Sequence, residues 1–200
     1  MNSPALTNNT LLIASKNPGK IREFQKILGE LGLILKTGAD IDFPDVEETG
    51  ATFQENAELK ARSAAEHTSL SVVADDSGFM VECMNDWPGI RSSRVVDEMG
   101  GDKNLFPHID RHAREAGNPN ASFYCALALC HPDGSVEHFA SQVKGAFVFP
   151  PRGDKGFGYD PVFVPNGHTQ TFAEMNPEDK NAISHRGQAI KKLYERLRQK

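Results

Sequence analysis

Leu11-Leu12-Ile13-Ala14-Ser15-Lys16-Asn17-Pro18-Gly19-Lys20 is the stretch on which the fold turns. A compact apolar run stops at a Pro-Gly turn signal. Beyond it the apolar side chains change period, with Ile21, Phe24, Ile27, Leu28 and Leu31 on one helical stripe. The unit is strand, tight loop, helix. Such a junction exposes unpaired backbone N–H groups at the helix start, and Lys20 adds a positive charge where an anion would bind. It is not a Walker loop, because it has a single glycine and no Ser or Thr after Lys20. An ordinary strand-to-helix turn fits the same spacing.

Working outward, residues 37–50 are polar and acid-rich and read as a connection ending in Glu47-Glu48-Thr49-Gly50. Thr52 and Glu55 have capping-box spacing ahead of Phe53, Ala57, Ala61 and Ala64, which predicts a helix over 53–66 carrying Lys60 and Arg62. Ser71 to Ala74 is a short apolar strand, expected to stop at Asp75-Asp76-Ser77-Gly78. Residues 85–89 form a turn, and 102–116 a weak helix ending at Gly117. Two strand patterns, 122–130 and 136–149, flank Pro132-Asp133-Gly134, which predicts an antiparallel hairpin and hence a mixed sheet. After a third compact run, 162–164, Asn176-Pro177 starts a helix. Ser184-His185-Arg186-Gly187 is expected to interrupt it before a last helix over 188–198. The fold class is α/β, with residues 11–200 as one unit behind a flexible lead, 1–10.

Composition narrows the function. At 200 residues and 38% hydrophobic, the chain can bury one good core. Its net charge of -5 gives no basic field for nucleic acid, so positive groups serving an anionic ligand must be local. No apolar run approaches the roughly 18 residues of a membrane span, and residues 1–10 lack the pattern of a signal peptide. Cys83, Cys125 and Cys130 read as buried thiols in a reducing compartment, since Cys125 and Cys130 point to opposite faces of a strand.

Three further segments could carry chemistry. Asp75, Asp76 and Ser77 offer hard oxygen ligands, and Glu48 could complete a magnesium site, although adjacent acids on a solvated turn have the same appearance. Gly156-Phe157-Gly158-Tyr159-Asp160-Pro161 sets aromatics between glycines, either to approach and stack on a flat ligand or to fill the core from a turn. Lys180, His185 and Arg186 supply hydrogen-bonding groups near a helix end; Arg186 can grip an acceptor-rich edge with two donors.

Taken together and in this order, residues 14–20, 47–50 with 53–62, 74–78, 156–161 and 180–187 resemble the inosine triphosphate pyrophosphatase family over nearly the whole chain. The resemblance implies a mixed, elongated sheet with flanking helices, two lobes around a central nucleotide cleft, and a cytoplasmic homodimer. It implies magnesium-dependent hydrolysis of ITP, dITP or XTP to the monophosphate and pyrophosphate. Carried over by position, Ser15, Asn17, Lys20, Lys60 and Ser77 are phosphate contacts. Glu48 and Asp76 are metal ligands, with Asp76 also the catalytic base. Phe157, Gly158, Tyr159, Asp160, Lys180, His185 and Arg186 enclose the base. The Asn85-Asp86-Trp87 segment and Arg91 depart from the family pattern. Competing readings are a nucleotide sensor without turnover, a hydrolase of modified pyrimidine nucleotides, and a phosphotransferase, the last disfavoured by the absent Walker pair.

Overall fold

A computed structural model describes residues 6–199. The expected lead falls partly outside them, at 1–5. Of the rest, Leu6 is buried in a core cluster, Asn8 and Asn9 are exposed, and Thr10 belongs to a strand.

The chain divides into two compact units. The first comprises Met1–Asp76, Cys125–Ala140 and Arg186–Lys200. Strand β1 (Thr10–Ile13) pairs in parallel with β2 (Ile34–Lys36) and with β3 (Ser71–Val81). Helix α1 (Pro18–Leu28) starts as the sequence predicts: Pro18 holds the first position, and the Asn17 side chain accepts from the N–H groups of Gly19 (2.8 Å) and Lys20 (3.2 Å). Helix α2 (Phe53–Thr68) opens on a complete capping box between Thr52 and Glu55. Leu11, Ile13, Phe24, Leu28, Val73 and Leu127 form its core with Ala189, Ile190, Leu193 and Leu197 from α6 (His185–Arg198).

The second unit comprises Ser77–Tyr124 and Ser141–His185. It contains β4 (Trp87–Pro88), antiparallel to β3, and β7 (Phe163–Pro165), antiparallel to β6 (Val136–Phe147). It also contains helices α3 (Ser92–Glu98), α4 (Asp102–Ala116) and α5 (Pro177–Ile183). Its core is aromatic: Phe79, Phe123, Tyr159, Phe163 and Phe172 pack in stacked and edge-on pairs. Among the described residues the sheet order is β2-β1-β3-β5-β6-β7, where β5 is Asn120–Cys130, and β4 adds to β3. Parallel and antiparallel pairs coexist, so the sheet is mixed, as the hairpin pattern predicts.

Two boundaries differ from the sequence reading. Strand β3 does not stop at Asp75 but runs on to Val81, because both acids find cationic partners within the fold. The break before the last helix is confined to Ser184, whose backbone is extended (φ -68°, ψ 156°), so His185, Arg186 and Gly187 lie in the first turn of α6 and not in a loop.

Candidate active site

Two successive carboxylates on β3 face opposite sides of the strand, since side chains alternate with a period of two. On one side Asp75 is met by Lys20 from α1, at 3.0 Å, and by the guanidinium of Arg186 from α6, at 3.1 Å. Arg186 also donates to Glu23 of α1 at 2.8 Å. Asp75 and Arg186 are almost wholly buried, which removes water as a competitor. Burial alone would raise the Asp75 carboxyl, but Lys20, Arg186 and Lys60 outweigh it and hold the group well below the carboxylate range.

On the other side Asp76 accepts from the buried Asn56 amide of α2 (3.1 Å) and lies 3.5 Å from Lys60 Nζ. Lys60 Nζ also meets Glu48 Oε1, at 2.6 Å. Asn56 in turn accepts the N–H of Gly50 (2.8 Å), which fixes the loop that carries Glu48. Burial raises the Asp76 carboxyl above its ordinary value against the pull of Lys60, and Glu48 adds to the rise. Burial opposes the Lys60 charge too, yet Asp76, Asp75 and Glu48 together raise its pKa.

Lys20, Glu48, Lys60 and Asp75 border a pocket of about 250 Å³ that Ser15 and Asn17 also line. Of the phosphate contacts implied by the resemblance, Ser15, Asn17, Lys20 and Lys60 are thus brought together in the first unit. Ser15 Oγ accepts the N–H of Asn17 (3.2 Å), which shapes the turn into the α1 N-terminus. Ser77 lies half-buried on β3 and belongs to the second unit.

Among the described residues no group of three or more His, Cys, Asp or Glu side chains is disposed to hold a metal. Magnesium asks for less: one or two carboxylates, with waters and substrate phosphates completing its octahedron. Glu48 and Asp76 converge on a single ammonium, Lys60 Nζ, so two hard oxygen donors already point at one cation. The donor set fits that ion.

The second unit holds most of the residues expected around a base. Asp160 Oδ2 is a hub: it accepts the N–H of Phe157 (2.8 Å) and pairs with Lys180 Nζ (2.7 Å). Lys180 stands 5.0 Å from the centre of the Phe157 ring, within cation–π range. His185 is buried and stacked on Phe123, 4.5 Å between centroids and 3° from parallel. Gly156 and Gly158 both have positive φ, +77° and +59°, and Gly158 is exposed. Tyr159 is buried, its ring stacked on Phe79 and its hydroxyl donating to the Ser92 carbonyl (2.9 Å), so it supports the loop from the core. Arg186, grouped with Lys180 and His185 in the sequence, belongs to the first unit and is held there by Asp75 and Glu23.

Sequence reasoning passed over Asn56, Glu23 and the distinct role of Asp75. Asn56 had a readable signal, four residues before Lys60 and therefore on the same face of α2. Glu23 had a weaker one, an acid beside Phe24 at the edge of the apolar stripe.

The Ham1 family model matches residues 11–196. The dITP/XTP pyrophosphatase of Zymomonas mobilis is 45% identical over 186 residues, covering 92% of this chain and 89% of that protein. The dITP/XTP pyrophosphatase of Streptomyces coelicolor is 44% identical over 196 residues, covering 94% and 97%. The solved HAM1 protein of Coxiella burnetii superposes with a TM-score of 0.85 at 37% identity, covering 96% of this chain and 99% of that one. With both its sequence and its fold matched over almost their full length, the chain belongs to the Ham1 family.

Proposed function

We propose that the protein hydrolyses non-canonical purine nucleoside triphosphates, dITP, XTP and ITP, to the monophosphate and pyrophosphate with magnesium. The observation that carries this reading is the pocket at the Ser15–Lys20 loop, bordered by Glu48 and by the ammonium groups of Lys20 and Lys60, with Asp76 3.5 Å from Lys60 Nζ. The names of the matched relatives, dITP/XTP pyrophosphatase, support the same chemistry.

Bound magnesium supplies charge neutralisation for the phosphate oxygens. The chain's own residues do the rest. Lys20, Lys60 and the N–H groups at the start of α1 hold the triphosphate through charge and hydrogen bonds. A water oxygen forms the new bond to the α-phosphorus. The bond from that phosphorus to the α–β bridging oxygen breaks, and pyrophosphate departs with the electron pair. Asp76 takes the water's proton, and its pKa, raised by burial, makes it a better acceptor than an ordinary aspartate.

Base selection falls to donors. Inosine and xanthosine present an oxygen at the purine 6-position, whereas adenosine presents an amino group. Lys180 has only donors to offer, so an adenine there would leave a donor facing a donor, without a hydrogen bond. Arg186 has the same chemistry, but any base edge drawing on it competes with Asp75 and Glu23. A homodimer and a cytoplasmic location, both implied by the resemblance, complete the proposal. Among the described residues no helix is long and apolar enough to cross a membrane, and sedimentation tests the assembly.

Incubation with magnesium and, separately, dITP, XTP, ITP, GTP and ATP, with products resolved by chromatography, tests the reading. Monophosphate and pyrophosphate, formed fastest from the first three, are expected. Diphosphate and orthophosphate would overturn attack at the α-phosphorus, and equal rates with ATP would overturn the base selection.

A further inference from the structure

The second unit carries a pair of imidazoles that the proposed hydrolysis does not use. His108 and His112 stand one turn apart on α4, and i,i+4 side chains share a helix face. Their ring centroids are 4.7 Å apart, and both residues are half-buried. The helix beneath them is fixed by Leu105, Phe106, Ile109 and Ala113, all buried, so the pair is presented from a rigid element. Trp87, the only tryptophan of the chain, lies against His108 with ring centroids 5.6 Å apart.

Imidazole nitrogens one helical turn apart are a chelating pair for borderline divalent ions, whose affinity rises towards copper, and they hold magnesium poorly. We propose that His108 and His112 form a second cation site, specific for copper-, nickel- or zinc-like ions and separate from the hard-oxygen site at Glu48 and Asp76. Two protein ligands leave the remaining positions to water, which makes the site open and its ion exchangeable.

The local electrostatics act in both directions. Burial, then His112, then Arg111 lower the pKa of His108, the direction that favours the uncharged, ligating imidazole. Arg111 Nη2 contacts His108 Nδ1 at 3.2 Å and, as a donor only, takes that lone pair. Arg111 is exposed, so an incoming ion displaces a solvated surface contact and not a buried one.

Trp87 provides the readout. Copper or nickel held beside it quenches indole emission, and zinc, which does not quench, competes. The full chain is freed of metal, supplied with excess magnesium to fill hard-oxygen sites, and titrated with nickel chloride while Trp87 emission is followed. Saturable quenching that chelator reverses and zinc blocks is expected. Loss of a supporting residue around a bound metal typically weakens binding about 10- to 100-fold, so loss of a ligand in His108→Ala or His112→Ala is expected to weaken quenching by more than about tenfold. Glu48→Gln should leave the titration unchanged. Quenching that survives in both histidine variants, or that disappears in Glu48→Gln, would overturn the proposal, as would its absence in the wild-type protein. Circular dichroism shows that each variant is folded, and the readout does not depend on turnover, so it stands or falls apart from the proposed hydrolysis.

Discussion

The same conservative substitution at two neighbouring residues should give opposite phenotypes. Asp75→Asn removes the charge that Lys20 (3.0 Å) and Arg186 (3.1 Å) share, with side-chain exposures of 1% for Asp75 and 3% for Arg186. Removing one partner of a buried pair costs about 3–5 kcal/mol. Arg186 keeps Glu23, so the lower end applies. For a chain of this length about 2–4 °C accompanies each kcal/mol, which puts the loss at roughly 6–12 °C in melting temperature. The sign of the pH effect follows from a carboxyl held below its usual 3.8. Its stabilisation is fully present above that pH and fades as pH falls below it, so Asp75→Asn should also flatten the acid limb of the stability profile. In Asp76→Asn, by contrast, the new amide keeps an oxygen for Asn56, and Lys60 keeps Glu48. Since burial already disfavours the Asp76 charge, melting should stay level or rise, while turnover of dITP falls about 100- to 10,000-fold with the loss of a positioned base. Thermal unfolding in chelator and initial-rate assays with magnesium measure both. An Asp76→Asn enzyme with normal turnover, or an Asp75→Asn protein as stable as the wild type, would refute the division of labour.

The base loop offers a paired test: Gly156→Ala and Gly158→Ala both place a side chain at positive φ, but a Cβ at 156 overlaps Asp160 Oδ2 while one at 158 meets nothing. Gly158→Ala should cost about 1 kcal/mol; Gly156→Ala should cost several more by displacing the partner of Lys180, with denaturant midpoints giving the difference. The Cys125 thiol, wholly buried and pushed up by burial and then by Asp75, should resist Ellman's reagent in the native protein and react only on unfolding, as peptide mass spectrometry would show. Magnesium and nucleotide should bind interdependently: calorimetry with a non-hydrolysable triphosphate is expected to give an affinity at least about tenfold lower in chelator.

Much of this was legible because the signals were local. The capping box at Thr52 and Glu55, the Asn17-Pro18 helix start and the left-handed Gly117 that ends α4 each depend on residues within one turn, and each is found where the sequence puts it. What was not legible has a common cause in contacts distant along the chain. Asp75-Asp76 looked too polar to continue a strand because its partners, Lys20, Lys60 and Arg186, come from three different helices. The stacking of Tyr159 was hidden because its core neighbour, Phe79, is far away in sequence. Arg186 was grouped with its chain neighbours, whereas its two carboxylates come from α1 and β3.

Every cation assigned to the substrate rests on a carboxylate. Lys20 is on Asp75, Lys60 on Glu48 and Asp76, Lys180 on Asp160, and Arg186 on Asp75 and Glu23. In a chain of net charge -5 this holds buried and half-buried cationic groups in place before any substrate arrives, each on a carboxylate. On the proposed function, binding is then an exchange. Lys60 cannot turn to a phosphate unless another cation takes its place at Glu48 and Asp76, and a magnesium ion cannot sit on those carboxylates without displacing the ammonium, which then needs an anion. A triphosphate that arrives with its metal satisfies both conditions in one step, since carboxylates pass to the metal and the ammonium to phosphate. A lone nucleotide or a lone ion leaves one charge stranded in a partly desolvated pocket, where stranding is most costly. On that reading, discrimination against partial ligands follows from the resting ion pairs themselves.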